Sequence, residues 1–264
     1  MKKSVFVLAL IFTTLNVSAQ ILKVDKGSID SDSSNYFMGN INFNFNLNNR
    51  SATAEKEITF TGLEANADIV YVAEKHAYIL INKINYFKST GGPLISTGYA
   101  HFRVNFLRKR IMSYELFSQI QYDDGRMMPL RFLQGGGLKF RLSSTEKSKI
   151  YLGIGGMYEE EHWKSVTEED VIIEKELWKT SDYINGKFNF NDHVSFDVIL
   201  YYQGGYDGES EVFRNRFSGD AVLSMQLTDK LSFLTSFSAQ YEDKPIIPIN
   251  NFVYSLTNGL KWSF

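Results

Sequence analysis

Asn40-Ile41-Asn42-Phe43-Asn44-Phe45-Asn46-Leu47-Asn48 is the stretch that decides how this chain folds. Side chains alternate between the two faces of a β-strand. Ile41, Phe43, Phe45 and Leu47 therefore point one way and five asparagines point the other. One face is apolar, and the other offers a hydrogen-bonding amide at every position. The same period of two returns along the chain. Phe102, Val104 and Phe106 oppose His101, Arg103 and Asn105, while Leu116, Ile120 and Tyr122 oppose Glu115, Gln119 and Gln121. Val194, Phe196, Val198, Leu200 and Tyr202 oppose Ser195, Asp197 and Gln203. Phe217, Ala221, Leu223 and Met225 oppose Arg216, Asp220, Ser224 and Gln226.

Working outward from these patterns, about twelve strands are expected, at 36–48, 58–72, 77–87, 97–107, 111–122, 131–142, 149–159, 178–190, 194–203, 213–227, 231–241 and 252–264. The second and third have an open register, because Tyr71 to Ile84 is apolar on both faces. The connections alternate between a long set (49–57, 88–96, 123–130, 160–177, 204–212, 242–251) and a short set (73–76, 108–110, 143–148, 191–193, 228–230). Long external loops and short periplasmic turns mark outer-membrane barrels, whereas a Greek-key sandwich has no reason to alternate so strictly. The fold class expected is all-β, a single antiparallel up-and-down transmembrane β-barrel with both termini in the periplasm.

Composition agrees. The hydrophobic fraction is 44 %, and no run of the mature chain approaches the ~20 apolar residues of a spanning helix. Barrel strands alternate and so average to neutral hydropathy. Twenty-one Phe and 15 Tyr beside 4 Pro favour strands and membrane interfaces. The absence of Cys removes disulfides and thiolate metal sites, and a formal charge of −2 gives no reason to expect nucleic acid as a partner.

Residues 1–19 read as a signal peptide: Lys2 and Lys3, an apolar stretch from Val5 to Phe12, and Val17-Ser18-Ala19 before Gln20. No Cys follows, which excludes a lipoprotein anchor. Residues 20–35 are expected to be a periplasmic N-terminal segment, and 36–264 the barrel. Apolar-face Tyr122, Tyr158, Tyr202, Tyr241 and Tyr254 fall at external strand ends, and Phe106, Phe140, Phe190, Trp262 and Phe264 at periplasmic ends, giving two aromatic girdles. Thr257-x-Gly259-x-x-Trp262-x-Phe264 has the spacing of the insertion signal read by the barrel-assembly machinery. The expected partners are that machinery, outer-membrane lipid and lipopolysaccharide, around a monomer.

The inward face carries the candidate functional residues, expected to be lumen-facing and polar: Asn42, Asn44, Asn46, His101, Arg103, Glu115, Gln119, Lys139, Arg141, Asp197, Arg214, Arg216 and Asp220. Mixed signs read as an ion-paired network filling a narrow barrel, since buried charges need partners. A selective pore is the alternative, and no long loop stands out as a plug. A lipid hydrolase would need a hydroxyl nucleophile, a histidine and an orienting group. His76 and His193 fall at periplasmic turns and His162 in the longest loop, so only His101 faces inward, with no recognisable serine motif beside it. Gly135-Gly136-Gly137 and Gly153-x-Gly155-Gly156 sit within strands, where glycine permits curvature, rather than opening a helix as a phosphate cradle would. Glu159-Glu160-Glu161-His162 and Glu168-Glu169-Asp170 read as solvated acidic loop, with Ca²⁺ binding at the cell surface as the alternative. No catalytic residue, metal or cofactor is expected.

The chain resembles the salt-induced outer-membrane protein family, uncharacterised Gram-negative barrels. The resemblance is carried by Tyr122-Asp123, Gly135-Gly136-Gly137-Leu138 running to Arg141-Leu142, Gly153-x-Gly155, Leu231-Ser232, Tyr241 before Pro245, and Gly259-Leu260-x-Trp262-x-Phe264. It implies a non-enzymatic outer-membrane protein serving envelope maintenance under osmotic or salt stress, and it brings no substrate or catalytic residue. A diffusion channel for small solutes and an outer-membrane lipid hydrolase stand as alternatives.

Overall fold

The computed structural model describes residues 34–49, 59–229 and 231–262. The signal peptide, nearly all of the 20–35 segment and Phe264 lie outside the described residues. So do the side chains of Asn42, Asn44, Asn46, Thr257 and Trp262.

The chain is all-β. Its strands are β1 (Tyr36–Asn49), β2 (Thr59–Val72), β3 (His76–Ser89), β4 (Gly92–Phe106), β5 (Met112–Asp123), β6 (Met128–Ser144), β7 (Ser148–Lys164), β8 (Ile172–Thr180), β9 (Asp182–Asn189), β10 (Val194–Asp207), β11 (Val212–Gln226), β12 (Leu231–Glu242) and β13 (Phe252–Trp262). Neighbours pair antiparallel in chain order, save that β8 and β9 both pair with β7. They do so in one continuous register, Gly156↔Thr180 on the β8 side and Gly153↔Tyr183 on the β9 side. Together they form one strand interrupted at Ser181, where the Asp182 carboxylate accepts the Gly155 N–H at 3.2 Å. The sheet thus makes the twelve passes that the periodicity predicts. Among the described residues no ladder joins β1 to β13, yet residues from β2 through β13 line one interior cavity, so the sheet curls into a barrel. We call the end where β1 starts and β13 finishes the near end, and the other the far end.

Two expected loops are corrected. Segment 88–96 is strand except for the turn at Thr90-Gly91, and 160–177 is a hairpin whose turn is 165–171. At β7 and β8 the period of two persists, but inward Glu159, Glu161 and Lys175 face outward Glu160, His162 and Glu174, so hydropathy no longer reveals it. His162 is consequently a strand residue, and only Glu168-Glu169-Asp170 of the acidic stretch remains in the exposed turn.

The undecided register of β2 and β3 resolves as Val72↔Ala77 and Val70↔Ile79. Val70, Val72, Ala77, Ile79 and Ile81 turn inward, with Tyr36, Met38 and Tyr99 packed on them. The outward face stays apolar, and Ile41, Leu116, Ile154 and Leu200 are each more than half exposed.

The glycine runs of β6 and β7 meet each other, Gly136↔Gly156 and Gly137↔Gly155. A Cβ on Gly155 would lie 2.5 Å from the Gly136 carbonyl oxygen and 3.1 Å from Gly137 Cα. Backbone occupies the space, so this site has no side chain that can yield. Gly155→Ala should cost about 1–3 kcal/mol, read as a lower urea midpoint for loss of the compact, fast-migrating band on unheated gels. Gly208→Ala, which meets nothing within 4 Å, should leave that midpoint unchanged.

Candidate functional site

The interior is built from alternate residues of each strand, and its densest part is a buried ion network towards the far end. The Arg216 guanidinium donates from three nitrogens to three carboxylates: Nε to Glu242 Oε1 at 2.6 Å, Nη1 to Glu159 Oε1 at 2.7 Å and Nη2 to Glu161 Oε1 at 2.6 Å. Arg131 on β6 donates Nε to the same Glu159 oxygen at 2.7 Å and lies 3.1 Å from Glu161. Lys179 on β8 closes the set by pairing with Glu159. With Arg126, which lies 3.8 Å from Glu242, four cations meet three carboxylates. Glu159 and Glu161 are each 1 % exposed, and such charges persist in a protein interior only when each is paired.

A second tie crosses the middle of the lumen. Arg103 on β4 lies 3.5 Å from Glu115 on β5, whose Oε2 accepts the Tyr183 hydroxyl of β9 at 2.8 Å. The guanidinium also stands 5.5 Å from the Phe117 ring centre and 5.8 Å from that of Tyr183, within cation–π range. His101 lies between the Tyr99 and Phe117 rings, 6.0 and 6.1 Å from their centres, with Nδ1 3.1 Å from Gln119 Oε1. That acceptor is an amide oxygen, where a hydrolytic triad has an orienting acid.

Apolar material closes both ends in part. At the near end the inward residues of β2 and β3 form a floor, with Val70, Val72 and Ala77 fully buried. At the far end Ile247, from the loop 243–251, packs on Trp163 and Met128, with Ile173, Ile246 and Ile249 around them. Sequence reading expects no plug, and here it is corrected. Pro245-Ile246-Ile247-Pro248-Ile249 has no strand period, but three isoleucines in nine loop residues were a readable sign that this loop folds inward.

Between floor and cap lies a cavity of about 470 Å³, running from Asp68, Ile81 and Arg103 up to the 124–126 turn. Among the described residues none nearer the near end lines it, which gives it the form of a cup. Each of its lining cations has a carboxylate: Lys83 with Glu64 at 4.0 Å, Arg103 with Glu115, Arg126 with Glu242 at 3.8 Å, and Arg131 with Glu159.

Of the expected lumen residues, His101, Arg103, Gln119 and Asp220 line this cup, with Asp220 accepting the Ser238 hydroxyl. Arg216 and Glu115 sit in the networks. Lys139 is buried with Nζ 4.4 Å from the Tyr151 ring centre, below the cup. Asp197 stands opposite Lys187 in the β9–β10 ladder. Arg141 works elsewhere: its Nη2 donates to the Lys109 carbonyl at 2.8 Å and so braces the near-end turn 107–111. Arg214 belongs to the far rim, donating twice to Asp207 Oδ2 at 2.9 and 2.7 Å. Asp207 and Lys175, also at the rim, were missed because neither stands in a clear hydropathy alternation.

Burial alone would raise the Asp207 carboxyl, but the Arg214 hydrogen bonds and the backbone N–H of Ser210 outweigh it and hold the group well below the usual carboxylate range. A depressed carboxyl stabilises the fold above its unfolded value near about 3.9, and that contribution is lost as pH falls through the lower folded value. Carboxyl-carbon NMR should find Asp207 still ionised at about pH 3, when exposed aspartates are mostly protonated. Titration of Asp207 with the exposed groups would remove the clamp from this account. Within the lumen, Arg216→Ala takes one partner from each of three buried glutamates and should cost about 3–5 kcal/mol of stability, measured as a reduced urea midpoint.

No family model matches the chain, and no curated protein does so either. Among solved structures, one that is similar is the CymD monoaromatic hydrocarbon channel, at 10 % identity and a TM-score of 0.41, covering 95 % of this chain and 85 % of that one.

Proposed function

We propose that this protein is an integral outer-membrane β-barrel of a Gram-negative bacterium, non-enzymatic, with a blind rather than conducting lumen. The observation that carries the reading is the outward face. Phe43, Leu116, Ile154, Leu200 and Phe237, spread from β1 to β12, are 41–68 % exposed. Soluble monomers rarely show contiguous apolar patches above a few hundred Å², and this one runs around the sheet. Hydrocarbon accepts such a face, because the meander pairs its own backbone groups from strand to strand.

The rims support the same reading. Towards the far end Tyr158 meets Trp178 edge-on at 5.6 Å, and beyond them the outward residues become Glu160, His162, Lys164, Glu174 and Glu176. Near the other end Phe37, Tyr71 and Tyr78 stack in a row. Rings at two levels suit the two membrane interfaces. In this reading the near end is periplasmic, the β7–β8 hairpin stands outside the cell, and lipid and lipopolysaccharide surround a monomer inserted by the barrel-assembly machinery. The resemblance to the salt-induced family supports a role in envelope maintenance.

The diffusion-channel alternative keeps one favourable observation, the cup itself. Against it stand the apolar floor and the Arg103–Glu115–Tyr183 tie. Planar-bilayer recording of refolded wild-type protein should therefore show no step-like currents. Reproducible open-channel steps would replace this proposal with the channel.

A further inference from the structure

We propose that the cup is a binding site for an uncharged, hydroxyl-rich ring compound of sugar size. The inference rests on the blind lumen described above and adds to it a ligand class.

Volume sets the scale. About 470 Å³ lies inside the range of roughly 300–1,000 Å³ usual for small-molecule sites. Charge then narrows the chemistry. The four lining cations already stand in ion pairs, with Glu159 and Glu242 shared with Arg216, and Asp68, Asp123 and Asp220 line the same wall. A bound anion would therefore have to displace a glutamate and sit beside further carboxylates. A neutral solute meets no such competitor.

The remaining polar wall consists of amides and hydroxyls with His101 and the carboxylates Asp68, Asp123 and Asp220. Of these, Asp123 accepts the Arg126 backbone N–H and Asp220 the Ser238 hydroxyl. Gln119 donates to Gln121 at 2.6 Å while its carbonyl oxygen faces His101. Across the cup the Gln203 carbonyl accepts Arg131 at 3.2 Å, leaving its NH₂ as a donor. Amides present donors and acceptors side by side, which suits hydroxyl groups, since these both give and accept. Phe117, Tyr99 and Tyr201 supply apolar surface between the amides, as the C–H flank of a sugar ring requires. A hydroxyl-free aromatic ring would offer the Gln203 NH₂ no acceptor, which is costly in an enclosed site.

The test is saturation-transfer NMR on refolded wild-type protein in an amine-oxide detergent, which carries no sugar headgroup. The probes are a mixture of neutral mono- and disaccharides with inositol, run beside benzoate, inorganic phosphate and benzene. Transfer to one or more of the neutral hydroxylated rings is expected, weakened about tenfold by Phe117→Ala and by Gln203→Leu. Unheated gel mobility shows whether each variant has folded, and Gln203→Leu retains the volume of the wall should Phe117→Ala fail. Transfer only to benzoate, phosphate or benzene would overturn the proposal, as would no transfer at all or transfer unaffected by a folded variant. Silence in bilayer recording is independent of these outcomes, so the blind lumen and its ligand fail separately.

Discussion

The three carboxylates around Arg216 are the constraint on which the rest of the interior depends. A guanidinium presents its N–H groups in a fixed plane, and here Nε, Nη1 and Nη2 each take a different glutamate, two from β7 and one from β12. None of these groups is tolerable alone at such burial, so the strands that carry them must arrive in one arrangement. The registers record this. Arg216 stands directly opposite Glu242 in the β11–β12 ladder, and Arg131 directly opposite Glu161 in the β6–β7 ladder. A slip of one residue would turn these charges outward, towards the face that carries Ile154 and Phe217. Register, lumen filling and the apolar exterior are thus consequences of a single pairing requirement.

That network also explains why the interior is uneven. Where β6, β7, β8 and β11 converge, charge fills the lumen and Ile247 packs on Trp163 and Met128 above it. On the opposite side β2 to β5 bring shorter or uncharged groups such as Asn66, Tyr99, His101 and Gln119, and the cup opens there. Gly135–Gly137 against Gly155–Gly156 removes side chains from the β6–β7 wall beside the Arg103–Glu115–Tyr183 tie.

Much of this was legible in the residues. Ile41 to Leu47 against the asparagines fixes faces unaided, and Arg103, Glu115 and Arg216 point inward because their neighbours are plainly apolar. Legibility fails where both faces share a polarity. Tyr71 to Ile84 is apolar on both sides, because its inward half is the floor of the lumen and its outward half faces away from it. Residues 160–177 are polar on both sides, because they continue the barrel wall past Tyr158 and Trp178. The cap and the rim clamp of Asp207 with Arg214 depend on which loop folds over which strand end, and residue spacing carries no record of that. Arg141 is the instructive misplacement: its parity is inward, but its length lets it reach the 107–111 turn.

The central claim is that odd and even positions of one sheet separate hydrocarbon from a blind interior. The chain contains no cysteine, so single spin labels can be placed cleanly at positions 154, 200 and 218. In liposomes, labels at Ile154 and Leu200 should collide freely with oxygen and be shielded from a water-soluble nickel chelate, while a label at Ser218 should show the reverse preference. Chelate access at 154 and 200 equal to that at 218 would contradict the account.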